Sequence, residues 1–303
     1  MVQTPSRTPR LNTSGLRRDL ELLEVLATPE ALRLGGLGVS RVAEITGRDK
    51  GQISRTLATL AETGFVSRDP ENAKYVLGFQ LYALAARTRE ARLVEQAGQF
   101  LRRVANRTHE TAHLCVLRGG NVLTLKSEMS NQAFRGIGWE GVSVPALRTS
   151  SGRALISDWT KEELRDWYNE HSADALVTKR ELLNGIQGEN EALGALPDAK
   201  RSKINTFDDL LQEITNIRRQ GYAVVDEEFE MGLVGASAPI RDSSNRIVGV
   251  INLSAPKTRI APVLDQVGIV VREVSEEFSR HLGATASLKA ASSPAGQSRS
   301  PQQ

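Results

Sequence analysis

The stretch "DKGQISRTLATL" at residues 49–60 decides the fold of the first third of the chain. Ile53, Leu57 and Leu60 recur at helical spacing, so they share one face of a helix. The opposite face carries side chains with hydrogen-bonding groups: Lys50, Gln52, Arg55 and Thr59. Such a helix is either a solvated surface helix or a helix that reads DNA, and the neighbouring segments decide between the two.

The segment before this helix predicts a helix-turn-helix. "VSRVAEITG" at 39–47 is typical of a short helix, with Ser40 as its expected N-cap and Gly47 as its left-handed end. Asp49 is the expected N-cap of the second helix, with Gln52 as its capping-box partner. Two short helices joined by a tight glycine-containing turn form a helix-turn-helix.

Further elements on both sides extend this motif to a winged helix. "LRRDLELLEVLA" at 16–27 predicts a preceding amphipathic helix, whose leucines share a face: Leu16, Leu20, Leu23 and Leu26. After Gly64, "FVSRDPENAKYVLG" at 65–78 predicts two strands around a polar turn. This β-hairpin is the expected wing, and Lys74 is placed where a wing lies along the DNA backbone.

Composition limits the class of protein. The chain has 303 residues, 40% of them hydrophobic, so it can bury a sizeable core and is expected to hold two domains. The net charge of +3 resides in the first third, which favours an anionic partner there. No signal peptide or long uncharged apolar run is recognisable, which predicts a soluble, cytoplasmic protein with no membrane partner. Cys115 is the single cysteine, and only His109 and His113 have ligand spacing, across an expected helix-to-strand junction where that spacing does not bring them together. No disulfide, metal or cofactor is therefore expected.

The chain divides by complexity and periodicity. Residues 1–14 and 284–303 are of low complexity and are expected to form a disordered arm and tail. Residues 15–80 are the expected DNA-binding domain, and 81–105 a linker helix. The buried stripe of that helix is expected at Leu93, Ala97, Leu101 and Val104. Over 106–283, hairpins and amphipathic helices alternate, which predicts an α+β domain with an antiparallel sheet.

Four ordered segments carry a family resemblance: "VSRVAEITGRDKGQISRTLATLAETGFVSRDPENAKYVLG", "RTSSGRALIS", "RRQGYAVVDEE" and "APIRDSSNRIVGVINLSAPKTRI". A helix-turn-helix alone is unspecific, but these segments span both domains. Over roughly residues 15–283 the chain resembles IclR-family transcriptional regulators. The resemblance implies a DNA-binding transcriptional regulator, not an enzyme, with a winged helix and a GAF-like effector-binding domain. Repression is the expected mode of action, and activation is the alternative. The resemblance also implies a homodimer or homotetramer.

The winged-helix interpretation assigns roles to polar side chains. Those expected to face the major groove are Lys50, Gln52, Ser54, Arg55 and Thr59. Arg can bond guanine, and Gln adenine, through two hydrogen bonds, each worth about 1–3 kcal/mol of discrimination. Phosphates, which position the protein without specifying sequence, are the expected partners of Ser40, Arg48 and Lys74, and also of Lys50 at the start of the helix.

Two segments are candidates for an effector pocket. "VPALRTSSGRALIS" at 144–157 brings together Thr149, Ser150, Ser151 and Gly152. Backbone N–H groups and hydroxyls at a helix start attract a carboxylate, although capping by Thr149 or Ser150 is the alternative. Asn252 and Ser254 alternate in "RIVGVINLSA", so they share a strand face. The family resemblance places both segments at the effector.

Departures from the family pattern suggest the kind of effector. Val225 stands where related proteins often have an aspartate, which leaves Asp226 as the nearest carboxylate. Gly235 stands where many have a cysteine. A roomier and less polar pocket follows, which favours a larger or aromatic acid-like effector, unless these positions reflect packing alone. Trp139 is expected either to form a lid over the pocket or to pack against the sheet.

Two rival functions have weaker support. "GASAP" begins a G-x-S-x-G motif around Ser237, which would indicate a small-molecule hydrolase, but Pro239 replaces the last glycine. The base would be His113 or His171, and no carboxylate partner for either is evident. Redox sensing through Cys115 would need a second cysteine to resolve a sulfenic acid.

Overall fold

The computed structural model describes residues 15–132, 139–172 and 202–285. The described residues form two compact units, the first ending at Gln96 and the second beginning at Ala97. Within these ranges, no helix combines the length and the apolar composition that a membrane span requires.

The first unit contains a winged helix. Its elements are α1 (Gly15–Leu26), α2 (Pro29–Arg33), α3 (Val39–Thr46), α4 (Lys50–Glu62), β1 (Val66–Arg68) and β2 (Tyr75–Leu77). The predicted helix-turn-helix corresponds to α3 and α4, and the predicted wing is the antiparallel pair β1–β2. Gly47 ends α3 with a φ of 65°, the left-handed conformation that its position predicted.

The starts of α3 and α4 are set differently. The Asp49 carboxylate accepts a hydrogen bond from a backbone N–H of the first turn of α4 at 3.0 Å, so the predicted N-cap is confirmed. The prediction for α3 is wrong, because its N-cap is Gly38 and Ser40 lies inside the first turn. The cause is distant in sequence: Leu37 pairs with Tyr75 in an isolated β-bridge, which fixes the direction of the chain before Gly38.

The core face of α1 differs from the predicted one. Leu22, Val25 and Leu26 are buried, and they have the i, i+3, i+4 spacing of a single face. Leu16 and Leu20 lie on the other side of the helix and are 67% and 49% exposed. The leucines of α1 therefore supply two apolar faces, of which this unit covers one.

The predicted linker helix at 81–105 is divided into α5 (Phe79–Ala85) and α6 (Arg89–Thr108). Thr88 separates the two helices. Its hydroxyl donates to a carbonyl at the end of α5 at 2.7 Å and accepts from an N–H at the start of α6 at 3.2 Å. The predicted buried stripe of α6 is confirmed at Leu93, Ala97, Leu101 and Val104.

The second unit has the predicted α+β fold. Six antiparallel strands form one sheet in the order β5-β4-β3-β8-β7-β6. The strands are β3 (Ala112–Arg118), β4 (Asn121–Glu128), β5 (Ser143–Pro145), β6 (Ala223–Asp226), β7 (Leu233–Arg241) and β8 (Ile247–Pro256). The described helices are α7 (Ser150–Leu155), α8 (Lys161–His171), α9 (Phe207–Gln220), α10 (Lys257–Ile260) and α11 (Leu264–His281).

Helices cover both faces of this sheet. α11 packs on β7 through a buried stripe of Val267, Val271, Val274 and Phe278. Ser237, also on β7, instead hydrogen-bonds to residues of α7. Neighbouring side chains of a strand point to opposite faces of its sheet. α7 lies on the face to which Ser237 points, and α11 lies on the other face. A pocket lies on the α7 side of the sheet.

Candidate functional site

The outward face of α4 is free for a partner. Ile53 and Leu57 are fully buried, whereas the predicted DNA-facing residues are exposed: Lys50, Gln52, Ser54, Arg55 and Thr59. No described residue hydrogen-bonds to the side chains of Lys50, Gln52 or Arg55. The Thr59 hydroxyl donates to the carbonyl of Arg55 at 3.2 Å, so its proton is already engaged.

Three of the predicted phosphate contacts, all outside α4, have different surroundings. The Arg48 guanidinium is turned inward, donating to the Arg18 carbonyl at 2.6 Å and to the Asp19 carboxylate at 3.0 Å. Arg48 therefore fastens the turn of the motif to α1, and this geometry does not support its predicted phosphate contact. Lys74 Nζ donates to the Leu34 carbonyl at 2.7 Å, so it too has a partner within the unit. Ser40 is exposed.

A pocket lies between α7 and the sheet, and its space, counted together with open solvent at its mouth, amounts to about 580 Å³. Most of the predicted effector residues line it: Trp139, Thr149, Ser150, Ser151, Val225, Gly235, Asn252 and Ser254. The sequence interpretation missed other lining residues, among them His113, Cys115, Thr124, Phe229 and Leu233. A mostly apolar wall with a few convergent polar groups is typical of small-molecule sites.

Asp226, one of the predicted effector residues, is not part of this lining. It follows Val225 on β6, so its side chain points to the other face of the sheet. There it pairs with Lys257 at 2.8 Å, and the same lysine pairs with Glu227 at 2.9 Å. One lysine thus holds both carboxylates outside the pocket.

Gly152, also predicted at the effector, lies behind the pocket lining rather than in it. At this residue α7 passes the preceding turn very closely. A Cβ atom on Gly152 would lie 2.1 Å from the Ala146 carbonyl oxygen, so this close approach requires glycine. The role of Gly152 is therefore to let α7 pack where its serines reach the pocket.

The polar end of the pocket is a hydrogen-bonded cluster. Ser254 Oγ donates to Asn252 Oδ1 at 2.9 Å, and Asn252 Nδ2 donates to Ser237 Oγ at 2.9 Å. Ser237 Oγ also lies 2.8 Å from Ser150 Oγ and 3.1 Å from Ser151 Oγ. The strand register places Ser237 directly opposite Asn252, and α7 brings the two serines over them. The cluster therefore joins both segments that the sequence singled out.

Capping leaves the serines of α7 available for this cluster. Thr149 is the N-cap of α7, and its hydroxyl oxygen accepts a hydrogen bond from the Gly152 N–H at 3.1 Å. The capping alternative therefore applies to Thr149. Ser150 and Ser151 use their hydroxyls in the pocket instead.

The wall beside this cluster, here called the aromatic end, contains Trp139, His113 and Phe229. The Trp139 ring lies 6.4 Å from the His113 ring and 6.5 Å from the Phe229 ring, measured between centroids, and both pairs meet edge to face. His113 is opposite Asn252 in the strand register, so it lies on the same face of the sheet. The sequence alone did not place His113 in the pocket, because this placement depends on the pairing of β3 with the distant β8.

Burial keeps the titratable side chains of the pocket neutral. Burial lowers the pKa of the His113 imidazole from its ordinary 6.5 to about 4. Burial also raises the pKa of the Cys115 thiol to about 11. The described lining therefore carries no fixed charge at neutral pH, and its polarity comes from hydroxyl, amide and neutral imidazole groups.

A buried ion pair supports the rim of the pocket. Arg153 of α7 is fully buried and binds the Glu228 carboxylate through two hydrogen bonds, at 3.0 and 2.5 Å. Glu228 also accepts a hydrogen bond from the Lys203 N–H at 2.8 Å. Phe229 follows in the chain, so this pair fixes α7 relative to the aromatic end.

The surroundings of Ser237 do not support a hydrolase. A serine nucleophile needs a general base within hydrogen-bond reach. The described partners of the Ser237 hydroxyl are Ser150, Ser151 and Asn252. His113 Nδ1 instead lies 2.9 Å from the hydroxyl of a serine on β4, so its ring is engaged elsewhere.

Comparisons with known proteins agree with this architecture. Residues 85–187 and 194–280 match the model described as "Bacterial transcriptional regulator IclR C-terminal", and residues 15–70 match "IclR helix-turn-helix domain". The HTH-type transcriptional regulator BhcR of Paracoccus denitrificans is 26% identical over 270 residues, which cover 87% of this chain and 85% of BhcR.

Two solved structures share the fold. Thermotoga maritima IclR has a TM-score of 0.63 at 24% identity, covering 88% of this chain and 98% of that chain. An IclR homolog from Microbacterium hydrocarbonoxydans, complexed with 4-hydroxybenzoate, has a TM-score of 0.67 at 19% identity, covering 88% and 97%. At these identities the likeness concerns the fold alone. The family models span most of the chain, which therefore belongs to the IclR family of transcriptional regulators, with a DNA-binding helix-turn-helix domain and an effector-binding C-terminal domain.

Proposed function

We propose that the protein is a repressor whose α4 reads operator DNA and whose DNA binding is controlled by a small, aromatic, acid-like effector. The observation that carries the effector half is the pocket between α7 and the sheet. It combines an aromatic end with a cluster of hydroxyl and amide groups. The observation that carries the DNA half is the exposed polar face of α4, whose long side chains have no described partner.

On α4, Arg55 and Gln52 are the proposed base-reading residues and Lys50 a phosphate contact. Lys50→Ala should weaken binding to all duplexes alike and should lower the salt slope by about one phosphate contact. Fluorescence anisotropy with random duplex DNA at several salt concentrations measures both effects. An unchanged salt slope would contradict the role of Lys50.

Exposed apolar side chains support a homodimer. Leu16 and Leu20 on α1 are accompanied by Phe79 and Tyr82 on α5, which are 72% and 80% exposed. A winged helix carries one recognition helix, so a dimer would read two half-sites about one DNA turn, or a multiple, apart. A homotetramer would then be a pair of such dimers. Light scattering that gave a monomer, both alone and with DNA, would contradict this assembly.

The hydroxyl protons of the cluster support an acceptor-rich effector group. Ser237 can donate its single proton to one of Ser150 and Ser151, and it already accepts from Asn252. Its second lone pair accepts one further proton. When the remaining proton belongs to Ser150, no described contact supplies an acceptor for it, so it is available to a carboxylate oxygen. A remaining proton on Ser151 can instead go to the Cys115 sulfur. The related structure with bound 4-hydroxybenzoate supports an aromatic acid of this size.

The test is a gel-shift on DNA upstream of the protein's own gene, repeated with a panel of aliphatic and aromatic acids. An acid that enters the pocket should weaken DNA binding, and DNA should weaken acid binding by the same factor. Ser254→Ala should reduce this coupling, whereas Ser244→Ala, in the exposed turn between β7 and β8, should not. The proposal fails if an acid that calorimetry shows to bind leaves the affinity for DNA unchanged.

A further inference from the structure

His113 is a buried polar side chain of the pocket that the proposed function leaves unused. It is 5% exposed, lines the pocket and lies on β3 opposite Asn252. Its Nδ1 is 2.9 Å from Ser127 Oγ. Among the described residues its other ring nitrogen, Nε2, has no hydrogen-bond partner. Nε2 is not sealed off by protein atoms but opens on the pocket, where a ligand or water can supply the missing hydrogen bond.

The contact with Ser127 leaves His113 able to act in two ways. A serine hydroxyl can either donate to Nδ1 or accept from it. In the first case Nε2 carries the proton and is a donor, and in the second case Nε2 is an acceptor. Ser127 itself is held in place, because its backbone N–H donates to the Glu140 carboxylate at 2.7 Å. His113 can therefore match a group that both donates and accepts.

We propose that His113 selects effectors whose aromatic ring carries a hydroxyl group, in addition to the acceptor-rich group that binds at the serine cluster. The inference rests on the proposed function, because it requires the effector to occupy the same pocket. The edge-to-face contact between Trp139 and His113 places this nitrogen-bearing ring beside the aromatic end. A hydroxyl group supplies both the proton and the lone pair that the two forms of the imidazole need.

A second carboxylate would be a poor partner at this position. Burial holds the His113 pKa near 4, so the ring is neutral at neutral pH and offers no positive charge. No arginine or lysine belongs to the described lining. A second carboxylate would therefore lose its hydration without gaining a counter-charge. The selected class is hydroxylated aromatic monoacids rather than aromatic diacids.

Isothermal titration calorimetry of the full-length protein at neutral pH tests this selection. The ligands are benzoate, the isomers of hydroxybenzoate and terephthalate, and the proteins are wild type, His113→Phe, His113→Gln and the control Ser244→Ala. In wild type and in the control, one hydroxybenzoate should bind about tenfold more tightly than benzoate, and terephthalate more weakly than both. In His113→Phe the preference for the hydroxyl group should be lost, and His113→Gln should retain part of it.

The outcomes separate this inference from the proposed function. If no acid binds to wild type, the proposed effector class is wrong and the inference falls with it. If the acids bind, but the hydroxyl preference persists in His113→Phe, the inference alone is overturned. The wild-type series needs no substitution, so tighter binding of terephthalate than of every hydroxybenzoate would also overturn it.

Discussion

Removing the charge of Glu228 should destabilise the second unit strongly, because it leaves a fully buried guanidinium without its main partner. Glu228→Gln keeps the shape of the side chain and an oxygen that can accept from the Lys203 N–H. Breaking one partner of a buried pair typically costs about 3–5 kcal/mol. Glu213, at 3.7 Å from Arg153, remains nearby, so the lower end, about 3 kcal/mol, is expected.

Urea unfolding followed by tryptophan fluorescence measures this loss of stability in the second unit. All the tryptophans of the chain, Trp139, Trp159 and Trp167, belong to the second unit. With a urea dependence of about 2 kcal/mol per molar, a loss of about 3 kcal/mol moves the midpoint by about 1.5 M. Because the pair with Arg153 fixes α7, Glu228→Gln should also shift α7 and weaken effector binding.

A surface ion pair of the same unit provides the matched control. Glu277 pairs with Arg103, and the two side chains are 38% and 55% exposed. Glu277→Gln should therefore change the stability by less than about 1 kcal/mol. If Glu228→Gln moved the urea midpoint no further than Glu277→Gln, the reasoning about the buried pair would be refuted.

Three further predictions concern pH, thiol reactivity and packing. The unfolded chain protonates His113 below pH 6.5 but the folded chain only near pH 4, so the free energy of unfolding should fall by up to about 1.4 kcal/mol per pH unit as the pH drops through this window. His113→Phe should remove that contribution, and parallel pH profiles would contradict it. Because burial raises its pKa to about 11, Cys115 should react with iodoacetamide at pH 8 about a hundredfold more slowly in the folded protein than in urea; equal rates would disprove its burial. Gly152→Ala should lower the free energy of unfolding by more than about 2 kcal/mol, since its methyl group meets the Ala146 carbonyl. Gly98→Ala in α6 brings its methyl group only against the flexible end of a lysine, so it should be neutral or slightly stabilising. Thermal unfolding compares the two, and similar losses would show that the close approach does not matter.

Features with local causes could be predicted from the sequence. Asp49 caps α4 through its own first turn, and Gly47 ends α3 through its own backbone conformation. The stripe of α6 likewise follows from the helical repeat. In each case the interacting groups lie within one or two helical turns, so the sequence spacing determines the contact.

Features with distant partners could not be predicted in this way. Arg48 has the positive charge of a phosphate contact, but it binds Asp19, 29 residues earlier, and is therefore turned inward. Ser237 resembles the start of a catalytic motif, yet strand register and α7 place it in a polar cluster. His113 enters the pocket because β3 pairs with β8, a contact that spans almost half of the chain. The sequence shows which chemical groups these three residues carry. It does not show which residues surround them, because that depends on the tertiary fold.

The most direct test of the central claim is in vitro selection of DNA from a random duplex library by wild type, Arg55→Ala and Arg246→Ala. Arg246 is exposed in the turn between β7 and β8, and it serves as the control for loss of one positive charge. Wild type and Arg246→Ala should enrich the same sequence with two related half-sites. Arg55→Ala should lose the preference at one base pair of each half-site, by about 1–3 kcal/mol. Enrichment of the same sequence by Arg55→Ala, with the same discrimination at every position, would contradict the assignment of α4 as the helix that reads DNA.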